Sequence, residues 1–451
     1  MTARHRTSLK WLLEMRRTIG LGMPIVAGMV GHMIIGLIDT MMVGRVSVDA
    51  LAAAALVSTV VGVPWVGVLG LISAVQILSS QAFGAQRQRD AGEALRHGVV
   101  IAAVAGTAIA IGLMFAGPYL GWLGQPAEVV VASQGFLRLI ALSLVPALIS
   151  QSFKHFSESL NQPWPPMLFI YASVALNVFL NWVFIYGHLG APALGLEGAG
   201  LATLIARFAL AAAMILYVLR SPRLRAWLPP VWRTPLAWPL VSEMFRLGGP
   251  VALQTLLEVG AFSAGALMMG WVSADAMAAH QIAINCAATT FMIALGVGMG
   301  VSIRVGHAWG AGLSSRIRRI GFGGVILGAG AMGLCALAFT MAGSNIAAWF
   351  IADPNVVRLT ASLLFVAGIF QILDGTQVVM ISALRGMSDV RLPVIIVAVA
   401  YWAVALPLAY LCAFVLRIGP VGVWIGYALG LLVAAAGLTA RFLWRSRAAF
   451  V

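Results

Sequence analysis

Apolar residues fill this chain in long blocks, and most polar residues fall between the blocks. A helix needs about 20 consecutive apolar residues to cross a bilayer. By that measure the pattern predicts twelve spans: 19–43, 52–78, 98–118, 129–152, 166–187, 196–219, 246–271, 276–303, 320–343, 355–383, 392–415 and 419–442. Blocks of this length predict helices, so the fold class is an all-α integral membrane protein. Three acidic residues break the pattern. Asp39 lies in IIGLIDTMMVG, Glu258 in VALQTLLEVGAFSAG and Asp374 in LFVAGIFQILDGTQVVM. The other eleven of the 14 acidic residues fall in predicted loops or helix ends. A charge at membrane depth costs roughly 2.5–3.5 kcal/mol on insertion scales, so these three are the first candidates for function.

Composition sharpens this picture. The chain is 61% apolar and only 9% charged, against about 25% charged in soluble domains. The basic start, MTARHRTSLKWLLEMRR, runs into an apolar stretch with no A-x-A-like site, so no cleaved signal peptide is expected. A net charge of +14 would suit nucleic acid, but 23 of the 28 basic residues sit in the termini and alternate loops. That is the positive-inside pattern; it argues against a nucleic-acid face and predicts that both termini are cytoplasmic. Lys154 is assigned to the loop between spans four and five, and Arg385 to the loop after span ten. Arg138 and Arg207 fall within spans, where snorkelling or a helix-end position is expected. Cys286, Cys335 and Cys412 lie singly in apolar runs, so neither a disulfide framework nor a zinc site is expected.

The chain also repeats itself. With an offset of 226, MVGRVSVDALAA (42–53) lies on MMGWVSADAMAA (268–279), with eight of twelve positions identical. The same offset places LGMP (21–24) on LGGP (247–250) and AFGA (82–85) on AWGA (308–311), without a gap from 21 to 85. Six spans per repeat is an even number, so the two repeats are parallel, as in transporters that rock one repeat against the other. The expected organisation is an N-lobe over 1–220, a cytoplasmic linker over 221–245 and a C-lobe over 246–451.

Several segments carry a family resemblance across essentially the whole chain. They are Pro24 with IDTMMVG, NVFLNWVFIYG (177–187), GLEGAGLAT (195–203), AAHQIAIN (278–285) and LDGTQVVMISALRGMSDVRLP (373–393). In that order they resemble the multidrug and toxic compound extrusion (MATE) transporters, in particular the NorM-type branch. The resemblance implies two six-helix lobes forming a V around a cavity. It implies export of cationic amphipathic drugs or dyes in exchange for inward Na+ or H+, from a bacterial inner membrane, by a protein expected to be a monomer. It implies no cofactor beyond the coupling ion.

The resemblance also assigns candidate residues. Asp39 matches an N-lobe acid that clusters with polar residues on spans five and six, here Asn177, Asn181 and Thr203. Asn177 and Asn181, four apart, share a helix face. Together these groups offer oxygens to Na+, hydrogen bonds to a protonated Asp39, or simply helix-to-helix hydrogen bonds. Some relatives carry a carboxylate where this chain has Asn181. Glu258 and Asp374 match the C-lobe pair of the NorM-type branch, a second place for Na+ or H+. Gln281 and Asn285 are expected to face that pair from span eight, or else to pack between helices. The 226 offset puts Glu258 on His32, so the repeats hold different ionisable groups at one place. His32 and His280 read as packing histidines. Phe370 lies one turn before Asp374, and Met268, Met269, Phe291 and Met292 are candidates for an adaptable apolar wall, although apolar side chains in a membrane helix usually face lipid or neighbouring helices.

A carboxylate held in this medium can be neutralised by H+, by Na+ or by an organic cation. If each excludes the others, the site is an exchanger working by alternating access. Two other readings remain at this stage. A flippase for lipid-linked precursors would share the architecture, but acidic membrane-depth charges favour cationic cargo. A membrane enzyme would need a catalytic constellation, and neither HExxH nor GxSxG occurs.

Overall fold

The computed structural model describes residues 3–448, so the outermost residues of both basic tails, 1–2 and 449–451, lie outside the described residues. Among the described residues, twelve helices are long and apolar enough to cross a membrane, and each of the twelve predicted spans falls on one of them. We label them α1 (Ala3–Gly44), α2 (Val48–Gly84), α3 (Gln88–Ala116), α4 (Ala127–Ser159), α5 (Trp164–Tyr186), α6 (Leu196–Arg220), α7 (Trp238–Val272), α8 (Ala274–Gly310), α9 (Ser314–Ala348), α10 (Pro354–Gly386), α11 (Arg391–Val415) and α12 (Pro420–Ala448).

The repeated sequence segments turn out to be helix punctuation. Ser47 and Ser273, one offset apart, are extended residues that cap α2 and α8. Each side chain accepts from the backbone N–H three residues on, at 3.0 Å. Asp49 and Asp275 follow in the first turn, where a negative charge meets the helix dipole. The AFGA and AWGA segments end the same two helices. Each is followed by a left-handed residue, Gln86 with φ 57° and Gly312 with φ 69°. The strongest internal identity therefore records helix starts and stops.

The helices form two compact units. One comprises residues 1–26 and 253–451, the other 27–252. The chain passes between units inside α1 and inside α7, two residues after Pro24 and Pro250 in each case, and Val26 and Ala252 are themselves one offset apart. We call 27–252 the N-unit and the remainder the C-unit.

Each unit thus includes a helix half drawn from the other repeat, and glycines make room for it. In the C-unit, a Cβ on Gly296 of α8 would lie 3.0 Å from the Val26 backbone nitrogen, and one on Gly22 would lie 3.3 Å from the Gly296 carbonyl. In the N-unit, a Cβ on Gly70 of α2 would meet Ala252 Cα at 2.4 Å, and one on Gly248 would meet the Leu71 carbonyl at 2.3 Å. Gly22 and Gly248, Gly70 and Gly296, and Val26 and Ala252 are all related by 226. Small residues at these crossings let two backbones approach closely.

Polar contacts hold the donated half of α1 and the segment leading into α7. Glu14 of α1 receives hydrogen bonds from Arg304 of α8 and from Arg316 of α9 (Nε to Oε1, 3.0 Å), and Arg304 also reaches Thr18 Oγ1 at 2.5 Å. In the N-unit, Arg96 of α3 is paired with Glu93 at 2.7 Å and donates to the carbonyls of Thr234 (2.5 Å) and Pro235 (3.3 Å). The Ala237 N–H donates to His97 Nε2 at 3.0 Å. Pro407, which lacks an N–H and cannot continue an α-helical ladder, is accommodated in α11 by wide π-helical turns on either side, Val399–Ala405 and Leu411–Val415.

Candidate functional site

The N-unit contains a cavity of about 350 Å³ walled by α1, α2, α4, α5 and α6. Asp39, Asn177 and Thr203 line it, and Asn181 stands behind them. Asn181 Nδ2 donates to Asp39 Oδ1 at 2.5 Å and to Asn177 Oδ1 at 3.3 Å, and Asn177 Nδ2 donates to Thr203 Oγ1 at 3.5 Å. The four residues selected on the sequence are therefore one hydrogen-bonded chain. Asn177 and Asn181 are fully buried, and Asn181 Oδ1 is buried with no partner among the described residues. An acceptor left in that state costs about 1–3 kcal/mol unless a proton donor or cation meets it.

Sequence reasoning missed one member of this site. Arg207 lies in the cavity wall rather than snorkelling away from it. It donates to Ser143 Oγ at 2.8 Å, and its guanidinium sits 5.5 Å from the centre of the Trp65 ring, a cation–π distance. The signal was present in the sequence as a second intramembrane charge on a helix that also carries Thr203 one turn earlier. His32 lines the same cavity.

The C-unit contains a second cavity, of about 430 Å³, walled by α7, α8, α10 and α11. Glu258 and Asp374 both line it, together with Gln281, His280 and an aromatic group of Phe262, Phe291, Phe370 and Tyr401. Glu258 Oε1 accepts from Gln254 Nε2 and Gln377 Nε2, each at 3.0 Å. The network extends outward: Tyr401 Oη donates to Gln377 Oε1 at 3.3 Å, and Arg385 Nη2 donates to Gln254 Oε1 at 2.8 Å. Arg385 therefore belongs to the last turn of α10 and reaches inward, where the sequence reading had placed it in a loop. Gln254 and Gln377 were also missed, because an uncharged amide in an apolar run gives no energetic alarm.

The remaining candidates divide. Gln281 reaches the cavity. Asn285 does not line it, and its Oδ1 accepts from Gln281 Nε2 at 3.4 Å. Phe291 and Phe370 form part of the wall. The three methionines do not: Met269 is buried in the C-unit core, Met268 packs against that core, and Met292 is not among the lining residues. His280 accepts from Trp424 Nε1 at 3.2 Å, the contact of a packing histidine.

The two units hold their acids differently, and the offset shows how. The position equivalent to Asp39 is Gly265. A Cβ there would fall on the Tyr427 hydroxyl, which fills the space and donates to the Ala261 carbonyl at 3.0 Å. The equivalent of Glu258 is His32. Duplication left one scaffold, on which one repeat carries its acid two turns earlier on the first helix than the other.

Twelve spanning helices from two repeats, each unit with an acid-lined internal cavity, define a multi-pass membrane transporter rather than an enzyme. The MatE family profile matches residues 24–183 and 250–411, two blocks whose first residues, Pro24 and Pro250, are one offset apart. The chain belongs to the MatE family. It is 36% identical over 442 residues to a probable multidrug resistance protein NorM of Bradyrhizobium diazoefficiens, covering 95% of this chain and 93% of that one. It is 34% identical over 448 residues to a protein of the same name from Mesorhizobium japonicum, covering 97% and 96%. The crystal structure of the Vibrio cholerae MATE transporter VcmN in its bent form superposes with a TM-score of 0.89 at 20% identity, covering 97% of this chain and 98% of that one, which supports the shared fold.

Proposed function

We propose that this chain is a cation-coupled multidrug efflux antiporter of a bacterial inner membrane. It exports cationic amphipathic compounds in exchange for inward Na+ or H+, by rocker-type alternating access, as a monomer with both termini cytoplasmic. The observation that carries this reading is the C-unit cavity, where two carboxylates face an aromatic wall. Phe262 sits in edge contact with Phe370 (6.1 Å) and Tyr401 (5.8 Å), so flat rings and negative charge border one space. An organic cation finds both Coulomb attraction and cation–π contacts there. The N-unit cavity offers a different balance, because Arg207 shares it with Asp39. A small ion or a proton suits it better than a bulky cation. Asp39 Oδ, the unpartnered Asn181 Oδ1 and Thr203 Oγ1 are hard oxygen donors of the kind Na+ accepts.

In the cycle, a drug cation binds at the C-unit pair on the cytoplasmic side. Outside, Na+ or H+ takes its place and the drug leaves. The exchange needs only that the two occupants exclude each other and favour opposite-facing states. Lipid-linked precursors carry phosphates, which the two C-unit carboxylates would repel, so the flippase reading has less support. Drug uptake into everted vesicles, or drug transport in proteoliposomes, driven by an imposed Na+ gradient or an imposed pH gradient, tests the reading. Asp374→Asn and Glu258→Gln are each expected to abolish drug-dependent ion exchange while leaving expression intact. Wild-type efflux in both variants would remove the C-unit pair from the mechanism.

A further inference from the structure

α2 and α4 meet over a group of polar side chains that neither acid-lined cavity uses. Lys154, His155 and Glu158 on α4 are 7%, 7% and 1% exposed. The sequence reading put Lys154 in a loop; the structure places it inside α4, with Nζ 3.4 Å from Glu158 Oε1. His155 Nδ1 faces Glu158 Oε2 across 3.8 Å, too far for a direct hydrogen bond. Ser159 Oγ donates to the Gln76 carbonyl at 3.1 Å, which ties α2 to α4 beside this group.

Four polar atoms in this seam are buried without a partner among the described residues: Gln76 Nε2 and Ser79 Oγ on α2, and His155 Nδ1 and Glu158 Oε2 on α4. Gln76 and Ser79 are three apart, on one face of α2. Native proteins satisfy such groups with internal water, which needs two to four polar partners. A purely structural ion pair would close on itself with its remaining oxygens bonded. Here an imidazole nitrogen and a carboxylate oxygen are held just apart, with further donors beside them.

The group stands in line with the N-unit cavity. From Trp65 in the cavity wall to Gln76 is eleven residues of α2, and from Ser143 to Lys154 is eleven residues of α4. Both distances are about 16 Å at 1.5 Å per residue. His32 and Arg207 both line that cavity.

We propose that Lys154, His155 and Glu158, with internal water held by Gln76 and Ser79, form a proton-exchange site between the N-unit cavity and the cytoplasm. The proposal rests on the ion-coupled antiport reading and its orientation. A proton reaching His155 makes it imidazolium. The proton then passes through water to the Glu158 carboxylate, leaving a neutral imidazole and a neutral acid. Glu158 gives it up to cytoplasmic water and regains its charge. Lys154 stays cationic throughout and favours that return. Among the described residues, α2 presents Gln76, Ser79 and Ser80 here, and Glu93, Arg96 and His97 of α3 are engaged with one another and with residues 234–237.

The test is ethidium efflux from proteoliposomes under a pH gradient or a Na+ gradient, with equilibrium ethidium binding and thermal unfolding measured alongside. Glu158→Gln and His155→Gln are expected to slow pH-driven efflux by about tenfold or more, the scale of a lost proton-transfer group. Glu158→Asp should restore most of it, with ethidium binding unchanged in all three variants. Wild-type pH-driven efflux in both glutamine variants overturns the proposal. Wild-type protein driven by Na+ but not by pH overturns it too, while leaving the antiport reading standing. Failure under either gradient removes the antiport reading and this site with it.

Discussion

Among the described residues, the side-chain amide of Asn181 makes two hydrogen bonds through its nitrogen and none through its oxygen. Replacing it by Asp would set a second carboxylate within one hydrogen bond of Asp39. Two such charges near 4 Å repel by about 4 kcal/mol at an effective dielectric of 20, and a shared cation relieves that. Asn181→Asp, made in a Glu258→Gln background, is therefore expected to tighten radiolabelled Na+ binding by roughly tenfold or more. Unchanged affinity would mean that the N-unit pocket does not admit the ion. At this scale the sequence was legible wherever an anomaly was expensive. Asp39, Glu258 and Asp374 announced themselves by cost, whereas the Asn pair was singled out by the family resemblance, its spacing of four adding only that the two share a face. Arg207 was as anomalous, but a long side chain that can reach an interface hides its destination. Glu158 lies in QSFKHFSESL, whose polar character looks like a loop. It is buried because neighbouring helices pack around α4, and that is a tertiary fact.

At the scale of elements, the spans were readable because twelve separate apolar blocks can satisfy their backbone only as helices. What the pattern could not carry was that α1 and α7 each serve two units. Only the packing of individual glycines reveals it. A Cβ on Gly70 would lie 2.4 Å from Ala252 Cα, with no flexible neighbour to give way, whereas one on Gly112 of α3 meets nothing within 4 Å. Gly70→Val should therefore destabilise the protein by about 1–3 kcal/mol or more through overpacking. Gly112→Ala should be neutral or stabilising by about 0.5–1 kcal/mol. Thermal unfolding in detergent separates the two cases. Equal midpoints would show that the α2–α7 crossing is not as close as described. The wide turns around Pro407 were equally invisible, since a proline predicts disturbance of a helix but not which form the disturbance takes.

For the molecule as a whole, the 226 offset was the most productive reading of the sequence. It organises caps, helix ends, glycine crossings and the points where the chain changes unit. The exchange of helix halves also bears on how such a protein is made and inherited. A six-span repeat synthesised alone sends its first 26 residues out with no surface to receive them, and leaves the Gly70–Leu71 surface bare. It is complete only when a second repeat supplies the missing half. Expressed singly, residues 1–229 or 230–451 should be degraded by the cell; expressed together they should accumulate and restore drug resistance. Stable accumulation of either fragment alone would contradict this. By the same logic, a lone ancestral repeat could have persisted only as a reciprocally interlocked pair, so the fusion of two copies made permanent a partnership that was already obligatory.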